Sequence, residues 1–98
     1  MEYMAKGLVF LVAIEHIYIL VLEMFLWTKP KGLKAFGMTA KLAEDTKVLA
    51  ANQGLYNGFL AAGLIFGLII NNFKVVLFFI SCISIAGIYG AYSTQRIK

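Results

Sequence analysis

Three stretches of the chain are apolar and carry few charges: residues 4–27, 48–70 and 75–92. A helix that crosses a bilayer needs about 20 such residues, within a range of about 17–25. The third stretch is the shortest, roughly 27 Å at the helical rise. Between the first two lies TKPKGLKAFGMTAKLAEDTK, residues 28–47. Pro30 and Gly32 are expected to stop the first helix. Leu33, Phe36, Ala40 and Ala43 then recur at helical spacing, with Lys34, Lys41 and Glu44 turned to water. That pattern predicts a short amphipathic helix on the membrane surface. The turn NNFK, residues 71–74, makes the second and third spans an antiparallel hairpin. The expected architecture is all-α: a polytopic bundle of three transmembrane helices plus an interfacial helix, forming one integral membrane domain over residues 1–98.

Composition agrees with the pattern. The 98 residues are 61% hydrophobic and only 14% charged, with mean hydropathy +0.83. Soluble domains are about 45–50% apolar and about 25% charged, and a soluble chain this short buries too little surface to hide such an excess. The net charge of +4 comes from lysines placed between apolar stretches, which suits anionic lipid headgroups. No aromatic-and-basic nucleic-acid module accompanies it. The lone Cys82 has no partner for an intrachain disulfide. The first stretch makes a poor signal peptide, because Glu2 and Lys6 precede it, Glu15-His16 interrupts it and no small-x-small site follows. It is read as a retained helix.

Lysine and arginine placement sets the orientation. Lys29, Lys31, Lys34, Lys41 and Lys47 lie in the first loop and Arg96 and Lys98 in the tail, against Lys6 and Lys74 on the other side. The expected topology in the plasma membrane has the N-terminus outside and the first loop and C-terminus cytoplasmic. Trp27 and Tyr92 then fall at the cytoplasmic interface.

Polar groups inside the spans are the candidate chemistry. Glu15, His16 and Glu23 share one side of the first helix, and residues seven apart, such as His16 and Glu23, nearly eclipse. The second span carries ANQGLYNGF, residues 51–59, where Asn52 stacks on Tyr56 and Gln53 on Asn57 at i,i+4. By the helical rise, Glu23 lies about 11 Å below the midplane, Asn52 and Gln53 about 10 Å and Asn57 about 3 Å. Glu23 is therefore expected to meet Asn52 or Gln53, and Glu15 or His16 to meet Asn57. Tyr89 on the third span falls about 7 Å toward the cytoplasm. These depths predict one polar pocket facing the cytoplasm. Gly54 and Gly58 form one GxxxG pair and Gly63 and Gly67 another on roughly the opposite face; small residues let helices approach closely. The first pair is assigned to the bundle itself and the second to a homo-oligomer.

The segments EHIYILVLEMFLW, NQGLYNGFLAAG and AGIYGAY resemble the Domain of Unknown Function 1304 family, small integral membrane proteins of bacteria and fungi, over about residues 8–93. The resemblance implies a polytopic helical membrane protein without assigning it a biochemical role. Carried over position by position, the family's polar set falls on Glu15, His16, Glu23, Asn52, Gln53, Tyr56 and Asn57. The resemblance also implies a fourth apolar span after QRIK, which these 98 residues do not include: either this is a short member of the family or the sequence is truncated, and if a helix is missing, a partner subunit could supply that wall of the pocket.

Ionisable groups inside a span are functional by default; the bland alternative is that they are neutral, hydrogen-bonded links between helices. The favoured reading is a binder or enzyme for a small lipophilic molecule. In it Glu15, His16 and Glu23 serve as acid and base, while Asn52, Gln53, Tyr56, Asn57 and Tyr89 orient the ligand. Transport of a proton, cation or small solute by an oligomer is the alternative, and a structural or accessory subunit the third. No metal or cofactor is expected, because one His and two Glu on a single helix seldom enclose an ion. Phosphate loops, CxxC, HExxH and nucleophile-elbow motifs are absent from the sequence.

Overall fold

The computed structural model describes the backbone of residues 2–97 and the side chains of residues 2–93. Four helices follow one another: α1 (Tyr3–Met24), α2 (Pro30–Phe36), α3 (Ala40–Ile69) and α4 (Phe73–Ile97). No strand occurs among the described residues. Arg96 and Lys98, which the orientation argument used, lie outside the residues whose side chains are described.

The helices stop and start on local chemistry. Pro30 opens α2, where its fixed φ and missing N–H cost nothing. Gly37 closes it at φ 61°, a left-handed conformation that glycine adopts freely, and the Met38 amide donates to the Leu33 carbonyl at 3.0 Å. Thr39 then caps α3, its hydroxyl accepting from the Leu42 amide at 3.1 Å. The single amphipathic helix expected across residues 33–43 is thus two helices broken at Gly37. Leu33 and Phe36 end the first, and Ala40 and Ala43 begin the second. The second long helix starts at Ala40 instead of residue 48, because Thr39 supplies a cap and nothing between Ala40 and Lys47 breaks a helix. Its 30 residues make it about 45 Å long.

Between α3 and α4 the chain reverses at Asn71 and Asn72. Asn71 takes a positive φ of 51°, and the Asn72 amide donates to the Gly67 carbonyl at 2.9 Å. The Asn72 side-chain oxygen then accepts from the Lys74 and Val75 amides, starting α4. Asparagine suits both positions, tolerating the left-handed region and capping the next helix.

α1 packs mainly on α3, and α3 on α4. Where all three meet, Ala13, Ala61, Leu64 and Val76 form the buried core, flanked by Val9, Val12, Phe79 and Ile83. The rest of the apolar surface faces outward. Within the apolar windows of α1 and of Phe73–Ser93, only 11% and 6% of residues are buried. These two helices are long and apolar enough to cross a membrane, and their side chains are not spent on filling a protein core. α3 carries Asn52, Gln53 and Asn57 in its middle and is not among them.

Both glycine pairs are used within the chain. A Cβ on Gly58 would lie 2.6 Å from the Leu20 side chain, and one on Gly54 2.5 Å from Met24, so this pair lets α1 approach, as expected. A Cβ on Gly67 would lie 2.7 Å from Val76, and one on Gly63 would overlap the Phe79 ring. The face assigned to a second copy is therefore covered by α4 of the same chain, and an oligomer would have to use another surface.

Candidate functional site

α1 ends at Met24, three residues short of the expected Trp27. The Val21 carbonyl accepts from both the Phe25 and Leu26 amides, and the chain turns before α2. Gly32 sits against this turn so tightly that a Cβ would overlap the Leu26 carbonyl. Glycine is needed there for α2 to tuck under α1. The turn directs Trp27 toward α3. Its indole N–H donates to the Thr46 hydroxyl at 3.0 Å, which itself donates to the Leu42 carbonyl at 2.7 Å. The Trp27 ring also packs on Phe36, with centroids 4.8 Å apart and planes tilted by 49°.

One turn above Trp27, half-buried Glu23 accepts a hydrogen bond from the Asn57 side-chain amide at 2.7 Å. Asn57, not Asn52 or Gln53, is its partner. The contact at Gly54 fixes this register: a Cβ there would lie 3.2 Å from Glu23 Cβ and 3.3 Å from the Leu20 carbonyl. The glycine brings the Glu23 stem onto α3, and Asn57, one turn further along α3, reaches back to the carboxylate. Equal spans centred on a common midplane misplace this contact, because side-chain packing decides how two helices slide.

Two open grooves border Glu23. One, of about 380 Å³, runs between Glu23 and Trp27 on one side and Lys47, Val48 and Asn52 on the other. The second, of about 280 Å³, is bordered by Glu23, Trp27, Met38, Leu42, Leu49 and Gln53, among others. Glu23 and Trp27 line both. Lys47 in the first groove is paired with Glu44 at 2.6 Å.

Four of the eight expected site residues thus gather at this end of the seam: Glu23, Asn57, Asn52 and Gln53. The other four do not. Glu15 is exposed on α1. His16 is half-buried, but its Nδ1–H donates to the Val12 carbonyl at 2.8 Å, which ties the ring to its own helix. It lies about 10 Å along the axis from Glu23, so the two do not form an acid–base pair. Tyr56 is exposed, its ring edge-on to Phe59. Tyr89 is 70% exposed, on the part of α4 beyond the core. Among the described residues no three His, Cys, Asp or Glu side chains converge to hold a metal. Trp27 and Thr46 were not expected in the site. For Trp27 a signal exists, since it follows Glu23 by four residues. For Thr46 there is none, because nothing in its surroundings marks it as facing the indole.

The family described as "Protein of unknown function (DUF1304)" matches residues 10–98. The chain belongs to this family. All eight expected site residues, with Trp27 and Thr46, fall inside the matched region. The chain is also similar to the uncharacterized protein YpaA of Lactococcus lactis subsp. lactis (strain IL1403), with 30% identity over 90 residues, covering 88% of this chain and 76% of YpaA. No solved structure matches the chain.

Proposed function

We propose that this DUF1304 protein is an integral membrane protein that binds a small lipophilic molecule beside Glu23. The observation that carries the reading is the placement of one carboxylate, held by a neutral amide, at the border of two apolar-lined grooves. Binding sites are commonly apolar clefts with a few converging polar groups. In this reading α1, α3 and α4 all span the bilayer, with the N-terminus outside. The first turns of α3 project past a hydrocarbon core of about 30 Å, which places their charged residues in water, while α2 lies at the interface. Binding is favoured over acid–base catalysis because His16 and Glu23 are separated and the His16 ring is tied to its own helix.

Native mass spectrometry of the protein gently extracted from its membrane tests this. A discrete lipophilic adduct on the wild type that is lost in Glu23→Gln is the expected result. A ligand-free symmetric oligomer would overturn it in favour of transport.

A further inference from the structure

The smaller groove holds a single acidic side chain. Among the described residues that line it, Glu23 alone is ionisable; the others are Trp27, apolar Met38, Leu42, Leu49 and Ala50, and the neutral Thr46 and Gln53. Among the described residues no lysine or arginine is paired with Glu23. Its carboxylate accepts a hydrogen bond from the Asn57 amide, and the nearby lysines of α3 are matched within their own helix, Lys41 with Asp45 and Lys47 with Glu44. The indole beside the carboxylate is held from two directions, by Thr46 and by Phe36, so it borders the groove as a fixed aromatic wall. A carboxylate next to an aromatic ring and soft, apolar side chains matches one ligand class closely. The carboxylate and the π-system both attract positive charge, and the leucines and methionine take up hydrocarbon.

We propose that this groove selects a lipophilic organic cation, a compact apolar body carrying an ammonium centre, with the ammonium between Glu23 and Trp27 and the apolar part along Met38, Leu42 and Leu49. A volume of about 280 Å³ suits only a small ligand, being just under the range of about 300–1,000 Å³ for binding clefts. The inference rests on the lipophile-binding reading and adds the charge that the ligand carries.

Trp27 is the sole tryptophan, so its fluorescence reports occupancy of this groove. The protein in nanodiscs of neutral lipid is titrated with three probes of similar shape: benzyltrimethylammonium, its uncharged carbon analogue neopentylbenzene, and benzylsulfonate. Calorimetry gives the dissociation constants. The expected result is saturable binding of the cation at least tenfold tighter than that of the neutral analogue, and none of the anion. Glu23→Gln keeps an oxygen to accept from Asn57; it is expected to weaken the cation on the order of tenfold or more and the neutral analogue far less, and an unfolding midpoint like the wild type's shows that the variant is folded. Trp27→Leu, followed by calorimetry, is expected to weaken the cation several-fold and Trp27→Phe less, as a π-face contribution requires. Equal affinity for the cation and its neutral analogue, preference for the anion, or full cation affinity in Glu23→Gln would overturn the charge selectivity while leaving lipophile binding intact. Failure of all three probes to bind the wild type would overturn both.

Discussion

α3 uses a glycine pair twice, and the two junctions came out differently. At Gly63 and Gly67 the partners are Phe79, Val75 and Val76 of α4, and the junction closes over a core of Ala13, Ala61, Leu64 and Val76. At Gly54 and Gly58 the partners are Leu20, Glu23 and Met24 of α1, and the junction stays open on both sides as grooves. Close helix approach is common to both. The side chains delivered by the neighbouring helix differ: one junction receives branched and aromatic groups that fill space, the other a carboxylate and a flexible thioether that leave room. The apolar junction closes over the core, and the polar one leaves open space beside Glu23.

Substitutions can break that contrast. The largest effect is expected at Leu64, which is fully buried at the closed junction. Leu64→Ala should cost about 2–3 kcal/mol, toward the low end for such truncations, because in lipid only packing is lost and no water-driven term adds to it. Reversible unfolding in mixed micelles measures it, and a cost under about 0.5 kcal/mol would mean that this junction is not the core. Next come the glycines. Gly67→Ala places a methyl 2.7 Å from Val76 Cγ2 and 3.2 Å from the Val76 backbone nitrogen. The β-branched valine is stiff, and overpacking there is expected to cost about 2 kcal/mol. Gly54→Ala meets the Met24 side chain first, and methionine rearranges easily, so about 1 kcal/mol is expected. The reverse order would remove the distinction between a rigid and an adaptable junction.

The polar junction is sharpened by Asn57→Leu. Removing the amide leaves the half-buried Glu23 without its partner and should cost about 1 kcal/mol. It should also shift the fluorescence of Trp27, which lines both grooves with Glu23. In Glu23→Leu/Asn57→Leu, where the acceptor is gone as well, the cost of Asn57→Leu should shrink, and additive effects would argue against the hydrogen bond. The smallest effect is expected for Lys41→Ala, which removes an exposed ion pair to Asp45. It should change stability by under about 0.5 kcal/mol, and a larger loss would show that the start of α3 is packed against more than solvent.

The sequence by itself determined the elements. Long runs of low-charge apolar residues can satisfy their backbone only as helices once out of water, and this fixed three long helices before any contact was known. Asn71-Asn72 marked the reversal between α3 and α4. The NQGLYNGFLAAG stretch carried the family resemblance that the match over residues 10–98 bears out. The polar positions on α1 and α3 were also legible, and four of them do share one end of the seam.

The tertiary structure decided how these elements slide and where each polar group ends. The break at Gly37 and the cap at Thr39 compete with a continuous amphipathic pattern, and periodicity alone cannot rank a cap against a stripe. The pairing of Glu23 with Asn57 depends on an axial offset set by Leu20 and Met24 against Gly54 and Gly58. One turn of helix, about 5.4 Å, separates the right partner from the wrong one, and a measure of depth along each chain segment has no term for side-chain interlock. Gly63 and Gly67 could have faced any helix. They face α4 because the tight turn at Asn71 returns the chain immediately alongside, so the nearest apolar helix covers them. Trp27 joined the site because α1 unwinds at Met24 and Gly32 lets α2 press against that turn, and only the packing of those backbones determines where the indole points.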